Sequence, residues 1–210
     1  MHEVVVIDYE LGNLTSICRG LEYCGASVTV TKDHQIILKA PRVVLPGVGS
    51  FPHGMAELKR QGLDSVLRKV VKKGTPVLGI CLGMHLLLDE SEEFELTSGL
   101  GFIPGRVKPI SSHTNNGQTI KTPHIGWNEL LISSDSSNRL LKNINHGETT
   151  YFLHSFMAVP KNQENRIADC MYGGNRIAAL IENKNIFGCQ FHPEKSGKTG
   201  LRLLKNFLSI

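Results

Sequence analysis

Three short apolar runs, at residues 4–7, 43–45 and 77–80, constrain the fold more than any other feature of this sequence. No polar side chain interrupts them, and each precedes a turn and a segment of helical periodicity. Unbroken apolar runs of this length are typical of parallel strands that are buried on both faces. Because parallel strands need long crossover connections, the sequence predicts an α/β protein with helices on both faces of an open sheet.

The segments between these runs have helical spacing. Asn13 can cap a first helix over residues 14–23, and a second helix is predicted over 55–73, where basic residues precede a glycine. A short helix is predicted over 82–88, and a last one after Gly197. These helices are the expected covering layers of the sheet.

The second half of the chain has more strand candidates than helices. There, strands are predicted around residues 119–121, 129–132, 150–157, 177–181 and 186–191, in addition to one over 27–31 in the first half. The polar segment 111–119 is expected to be a loop or a hairpin tip. We therefore expect one domain over residues 1–210, with a three-layer open sheet, a mostly parallel core and additional antiparallel strands in the second half.

Composition excludes several classes of function. The net charge of +4 comes from scattered Lys and Arg, without the basic stripe of a nucleic-acid-binding protein. No apolar segment approaches the ~20 residues that span a bilayer, and the N-terminus reads as a strand, not a signal peptide. The five cysteines include no Cys-x-x-Cys pair. We expect a cytoplasmic protein without metal, cofactor, nucleic-acid partner or membrane association.

The stretch Gly79-Ile80-Cys81-Leu82-Gly83 follows a buried strand and precedes a helix. Glycines two residues before and after a central nucleophile are typical of a sharp strand-to-helix elbow, which exposes the nucleophile at the edge of the sheet. The N–H of Leu82 then points toward an oxyanion, and the helix start favours a thiolate. The alternative is a buried structural cysteine between two glycines that allow close helix packing.

A candidate base lies near the C-terminus. Pro193 stops a predicted strand just after His192, and Glu194 follows two residues later. A carboxylate at this spacing can hold one imidazole nitrogen and leave the other free to take a thiol proton. On its own the His-Pro-Glu sequence could be a surface turn with an acidic neighbour.

The loop after the strand at 43–45 is a candidate oxyanion site. Its sequence Pro-Gly-Val-Gly can aim the N–H groups of Val48 and Gly49 at a developing negative charge, although a Pro-Gly turn after a strand is common. Turning the 47–48 peptide would bring the β-branched Val48 to positive φ, which is costly. We therefore expect the oxyanion hole to be incomplete until a partner or ligand sets it.

Taken together, five motifs resemble the class I glutamine amidotransferases over nearly the whole chain. They are LPGVGSF, LGICLGM, PHIGWNEL, YFLHSF and FGCQFHPEKSGKTGLRLLKNFL. PHIGWNEL and the last motif are most similar to the glutaminase subunits of imidazole glycerol phosphate synthases. The resemblance implies a flavodoxin-like sheet and a Cys–His–Glu triad, here Cys81, His192 and Glu194. It also implies hydrolysis of L-glutamine to glutamate and ammonia through a thioester on Cys81.

The same resemblance implies a partner. In the family it is a (β/α)₈-barrel cyclase, which forms a heterodimer with the glutaminase and uses the ammonia to make imidazole glycerol phosphate and an aminoimidazole carboxamide ribotide. Asn13, Trp127, Tyr151 and Lys195 match positions near the docking face and the ammonia tunnel. Without the family context, Trp127 and Tyr151 would equally be packing residues and Lys195 a solvated lysine.

Position 85 departs from the family pattern Cys-x-Gly-x-Gln, since His85 stands where the glutamine that helps to hold substrate is expected. Glutamine could bind through His85 with altered pH dependence, or the chain could serve another synthase, such as one that amidinates a surface-polysaccharide sugar. We favour a third possibility, in which other groups hold the substrate. Family matching suggests Glu93 for its amino group, with His154, Ser155 and Phe156.

Two further alternatives concern His85 and the reaction class. His85 lies one helical turn past Cys81 and could act as the base, but no carboxylate is placed to orient it, and a Cys81–His85 metal site lacks further ligands. A cysteine peptidase or small-molecule hydrolase could share the elbow, but it would not share the other motifs. A non-catalytic subunit is supported only by position 85.

Overall fold

The computed structural model describes residues 2–113, 116–132 and 138–210. Its strands are β1 (His2–Ile7), β2 (Ala26–Thr31), β3 (Val43–Gly47), β4 (Val77–Cys81), β5 (Leu88–Ser91), β6 (Thr97–Ser98), β7 (Ile103–Pro109), β8 (His124–Glu129), β9 (Thr149–His154), β10 (Phe156–Pro160), β11 (Arg166–Tyr172), β12 (Asn175–Asn183) and β13 (Ile186–Cys189). Its α-helices are α1 (Leu14–Tyr23), α2 (His34–Lys39), α3 (Phe51–Arg60), α4 (Leu63–Lys72), α5 (Leu82–Leu86) and α6 (Gly197–Leu208).

A seven-stranded sheet in the order β11-β12-β13-β4-β3-β1-β2 forms the centre of the molecule. The strands from β13 to β2 in this order are parallel to one another. Strands β11 and β12 extend one edge in antiparallel pairing. The predicted α/β class, with a parallel core and antiparallel strands from the second half, is confirmed.

Two apolar layers cover this sheet. On one face, α3, α4 and α5 contribute Leu58, Leu67 and Leu86 to a core that continues into strands β5 and β7. On the other face, α1 and α6 contribute side chains such as Leu21 and Phe207. Since the strands between these layers are buried on both sides, their unbroken apolar runs are explained by their position in the sheet.

Two smaller sheets lie beside the central one. Strands β10, β7, β5 and β6 form a four-stranded sheet, and β8 pairs with β9 in an antiparallel ribbon. The ribbon pairs Trp127 with Tyr151 and Ile125 with Leu153. These four side chains point to the outer face of the ribbon, whereas His124 and His154 are buried on its inner face.

The structure differs from several predicted elements. The helix predicted over 55–73 is two helices, because Gly62 adopts φ 67° between α3 and α4. Helix α2 and strand β11 are not recognisable by periodicity alone, and the predicted strand 150–157 is interrupted at Ser155. Residues 119–121 and 129–132 contribute isolated bridges and the end of β8 in place of two strands.

The polar loop at 111–119 is closed by an antiparallel bridge between His113 and Thr119. Its residues 114 and 115 lie outside the described residues. In the described part of the chain, no helix combines the length and the apolar character that a membrane crossing requires.

Candidate active site

Cys81 is the last residue of β4, and α5 begins at the next residue. Its backbone has φ 54° and ψ −111°, a strained conformation for a residue with a side chain. The flanking glycines make the turn possible, because a Cβ at Gly83 would collide with the carbonyl oxygen of Leu45 and one at Gly79 would lie 2.6 Å from that of Gly83. The elbow thus holds the sulfur at the carboxyl edge of the sheet.

His192 reaches the same edge from β13, which is the parallel neighbour of β4. Its Nδ1 lies 2.9 Å from Oε1 of Glu194, whose side chain is almost fully buried. Burial lowers the pKa of His192, but hydrogen bonds and charges of Cys81 and Glu194 outweigh it and raise the pKa to about 10. This geometry would allow Cys81 to act as a nucleophile, His192 as its base and Glu194 as the carboxylate that orients the base.

A cavity of about 470 Å³ opens above the sulfur. Ten residues predicted for catalysis, oxyanion binding or substrate binding line it: Val48, Gly49, Cys81, Leu82, His85, Glu93, His154, Ser155, Phe156 and His192. Phe94, Pro123 and Leu153 complete the lining and were not predicted. Phe94 follows the predicted Glu93, Pro123 is the first residue of PHIGWNEL, and Leu153 belongs to YFLHSF, so their positions in the sequence were the available signal.

The loop after β3 is close to the sulfur, but its N–H groups are not all directed there. The N–H of Val48 donates to the carbonyl of Leu11 at 3.3 Å, in the loop that follows β1. Val48 has no positive φ, whereas Gly49 has φ 103°. The Val48 N–H is therefore engaged on the side of β3 away from Cys81.

His85 is buried on α5 and faces the cavity. Its Nε2 lies 2.7 Å from Oε1 of Gln190, and the Nε2 of that amide has no partner within the described residues. Burial lowers the pKa of His85 to about 4, although the bond to Gln190 acts in the opposite direction. His85 is therefore a neutral side chain whose hydrogen-bond partner is an amide, whereas the partner of His192 is a carboxylate. Gln190 was missed, although it lies in the quoted motif FGCQFHPE.

Glu93 lies across the cavity from the ribbon. Its Oε2 accepts the N–H of Phe51 at 2.7 Å, so the carboxylate binds the first turn of α3. Burial raises the pKa of Glu93, and this hydrogen bond opposes the increase. This hydrogen bond links Glu93, the carboxylate predicted to bind substrate, to helix α3, which follows the loop that contains Val48.

His154 lines the cavity, but both of its ring nitrogens contact protein atoms. Nδ1 lies 2.7 Å from the carbonyl of Phe156, and Nε2 lies 3.0 Å from Nδ1 of His124. His124 is stacked between Phe152 and Tyr172. Burial lowers the pKa of His124 to about 4 and that of His154 to about 3. The pair is neutral and rigidly packed, and His124 was not predicted, although PHIGWNEL contains it.

The four residues predicted for the partner face are not in this cavity. Asn13 occupies the N-cap position of α1 without a capping side-chain bond and borders a small hollow beside His192 and Glu194. Trp127 is 57% exposed and meets Tyr151 edge to face at 6.1 Å between ring centroids. Lys195 is exposed. None of the four lines the cavity above Cys81.

The family of the chain follows from comparison with known proteins. The family model for glutamine amidotransferase class-I matches residues 5–210. The chain belongs to the class I glutamine amidotransferase family. The chain is thus an enzyme of the class that takes ammonia from glutamine.

Relatives of this class I glutamine amidotransferase match along their full length. "Imidazole glycerol phosphate synthase subunit HisH 1" of Legionella pneumophila (strain Lens) is 45% identical, with 100% of both chains covered. The HisH subunit of Listeria innocua is 43% identical, covering 99% of this chain and 95% of that one. The HisH subunit of Geobacillus thermodenitrificans is 42% identical, with 100% and 97% covered.

Solved structures support the fold of this amidotransferase. A crystal structure described as a glutamine amidotransferase matches with a TM-score of 0.73 at 15% identity, covering 98% of this chain and 99% of that one. The structure of PurLQS from Thermotoga maritima matches with a TM-score of 0.72 at 20% identity, with 99% and 97% covered.

In the part of the amidotransferase that the structure describes, no three His, Cys, Asp or Glu side chains are grouped to hold a metal ion.

Proposed function

We propose that this chain is the glutaminase subunit of an imidazole glycerol phosphate synthase. It hydrolyses L-glutamine to glutamate and ammonia and delivers the ammonia to a (β/α)₈-barrel cyclase. The observation that carries the hydrolysis is the placement of Cys81 and His192 at one cavity, with Glu194 hydrogen-bonded to His192 behind it. The choice of synthase rests on the full-length similarity to HisH subunits.

Hydrolysis begins with attack of the Cys81 sulfur on the side-chain carbonyl carbon of glutamine. A C–S bond forms, the thiol proton resides on His192, and the carbonyl electrons move to oxygen. Glu194 holds Nδ1 of His192, so that Nε2 exchanges the proton with the reacting atoms. The high pKa of His192 suits this role, since the imidazolium is the acid that the leaving group next requires.

Collapse of the tetrahedral intermediate breaks the C–N bond. The nitrogen takes the proton from His192 and leaves as ammonia, and a thioester remains on Cys81. Water then gives a proton to His192 and forms a C–O bond with the thioester carbon. The C–S bond breaks, glutamate is released, and the Cys81 sulfur shares the proton on His192 as at the start. The N–H groups of Val48, Gly49 and Leu82 stabilise the oxyanion in both steps.

Substrate recognition is assigned to the other groups that line the cavity. Glu93 provides a carboxylate for the ammonium group of glutamine, and its bond to Phe51 leaves one oxygen for that contact. His85 presents a neutral ring to the cavity and offers one hydrogen bond. Ser155 and Phe156 contribute the segment beside His154, whose own ring nitrogens are already engaged.

The partner docks on the exposed face of the β8–β9 ribbon and around Asn13 and Lys195. Trp127, Ile125 and Leu153 expose large apolar surfaces there, which suits a protein interface. Unprotonated ammonia is the useful nucleophile, so its release into a closed tunnel between two subunits avoids protonation in water. This requirement supports a docked synthase.

The ribbon also connects this face to the catalytic residues. The carbonyl of Tyr151 accepts the N–H of His192 at 3.0 Å, and the carbonyl of Leu153 lies 3.8 Å from the Cys81 sulfur. A partner that moves β9 therefore acts on both residues of the nucleophile–base pair. Docking would also release the Val48 N–H from Leu11 and complete the oxyanion hole.

The proposal is tested by purifying the chain with and without a (β/α)₈-barrel cyclase. Glutamate release should be slow for the free chain and increase strongly in the complex, together with formation of imidazole glycerol phosphate. The C81A complex should release no glutamate but should still form product when ammonium salt is supplied. The matched variant C18A removes a thiol on α1, away from the cavity, and should keep full activity.

Two results would contradict the proposal. Glutamate release by C81A would exclude Cys81 as the nucleophile. A rate of glutamate release that the cyclase does not increase would favour the second candidate, a paralogous subunit that serves another ammonia-using synthase. The observation behind this second candidate is His85 at the position of the family glutamine.

A further inference from the structure

Tyr9 follows β1 and is buried with 1% of its surface exposed. Its ring belongs to the core under α3, α4 and α5, and it does not line the catalytic cavity. Burial, together with the charge of nearby Cys81, raises the pKa of Tyr9, so the hydroxyl stays protonated. Tyr9 is therefore a neutral donor close to the active site that the mechanism does not use.

The hydroxyl of Tyr9 has no hydrogen-bond partner within the described residues and is shielded from solvent. Buried hydroxyl groups in folded proteins nearly always have a partner, because an unpaired one is costly. A phenylalanine would fill the same space without this cost. The hydroxyl is thus expected to find an acceptor in some other state of the molecule.

The backbone of Gly47 lies directly against this hydroxyl. A Cβ built at Gly47 would collide with the Tyr9 hydroxyl, and it would lie 2.9 Å from both the Leu82 Cβ and the Gly83 nitrogen. The carbonyl of Gly47 forms one half of the 47–48 peptide. The other half is the Val48 N–H, which donates to Leu11, two residues after Tyr9.

Reorientation of this peptide has a necessary consequence for the carbonyl. In a trans peptide the N–H and C=O point in opposite directions, so turning the Val48 N–H from Leu11 toward Cys81 turns the Gly47 carbonyl toward the loop that carries Tyr9 and Leu11. That carbonyl then needs a donor in a site closed to solvent. The Tyr9 hydroxyl is a free donor in contact with the same residue.

We propose that Tyr9 is a positioning residue of the oxyanion hole, which rests on the function proposed above. Its hydroxyl donates to the Gly47 carbonyl only after the 47–48 peptide has turned. The resting state has the Val48–Leu11 hydrogen bond and an unpaired hydroxyl. The active state has the Tyr9–Gly47 hydrogen bond and a Val48 N–H directed at the oxyanion.

The test is the variant Y9F, which removes only the oxygen atom, in complex with the cyclase. Its kcat for glutamate release should fall about three- to tenfold, which corresponds to one hydrogen bond, with KM for glutamine unchanged. The melting temperature of the free chain should equal or exceed that of the unmodified chain, because the unpaired hydroxyl is gone. Y23F, at a tyrosine that is 76% exposed on α1, is the matched control and should change neither value.

Lower activity with unimpaired stability is a result that a packing role does not produce. A Y9F complex with unchanged kcat would overturn the proposal, and so would a variant whose melting temperature falls together with its kcat. Failure of the underlying function is distinguishable, since the unmodified complex would then release no glutamate or C81A would remain active.

Discussion

Replacement of Val48 by glycine should raise the glutaminase activity of the free subunit. The N–H of Val48 is held by Leu11 in the resting structure, and turning it toward Cys81 requires positive φ at residue 48. An L-residue in the left-handed region costs about 1–2 kcal/mol, and glycine avoids this cost. The active conformer of V48G should therefore be more populated before any partner binds.

The size of the effect follows from this difference. A shift of about 1–2 kcal/mol in the equilibrium between two conformers multiplies a minor population by roughly 5 to 30. Val48 is exposed and its side chain packs little, so its removal should alter the fold only through the greater freedom of glycine, about 0.5–1 kcal/mol. Basal kcat should rise by about 5- to 30-fold and stimulation by the cyclase should shrink by the same factor.

The assay is glutamate release by the free chain under saturating glutamine, followed by titration with the cyclase. V48A is the matched control, because alanine keeps the Cβ that opposes positive φ while losing the same exposed side chain. Its basal rate should stay near that of the unmodified chain. Equal rates for V48G and V48A would refute the reasoning, since backbone freedom at residue 48 would then not limit the free subunit.

Three other predictions concern buried ionisable groups. E194Q should keep the geometry of His192 but remove the charge that raises the pKa of His192. The kcat of the complex should therefore fall about 10²- to 10⁴-fold, with a smaller change in KM. A near-normal kcat would contradict the proposed triad. H85Q should lower KM for glutamine and change kcat less in steady-state kinetics, and an unchanged KM would mean that position 85 does not contact substrate. His124 and His154 are neutral when folded and protonate more readily when unfolded. Their contribution to stability is therefore present above pH 6.5 and is lost as the pH falls toward the folded pKa, about 4 for His124 and about 3 for His154. Urea denaturation at pH 5 should show a loss of about 2 kcal/mol for each of them relative to pH 7, whereas a flat profile over this range would contradict their burial as neutral rings.

The parts of the site that sequence could predict depend on local geometry. The glycines around Cys81 indicate an elbow because a sharp turn needs small residues at those spacings, and the structure has close backbone contacts at both. Pro193 ends a strand, which places His192 at the edge of the sheet. Parallel strands end on the same edge, so these local features come together without knowledge of the long-range contacts.

Pairings between distant segments could not be predicted in this way. His85 and Gln190 are 105 residues apart, and His124 and His154 are 30 apart in a ribbon whose register no local pattern specifies. An interruption at Ser155 sends β9 and β10 into different sheets, although 150–157 reads as one strand. Alternation indicates which face of a strand is buried but does not identify its neighbour.

The β9 strand has consequences for inhibition. Its carbonyl groups contact His192 and Cys81, while the side chains of Tyr151 and Leu153 face outward beside Trp127. A small molecule lodged against that aromatic surface would perturb catalysis from outside the glutamine pocket. A high concentration of glutamine would not displace it, so such a compound would keep its potency where an active-site analogue is outcompeted.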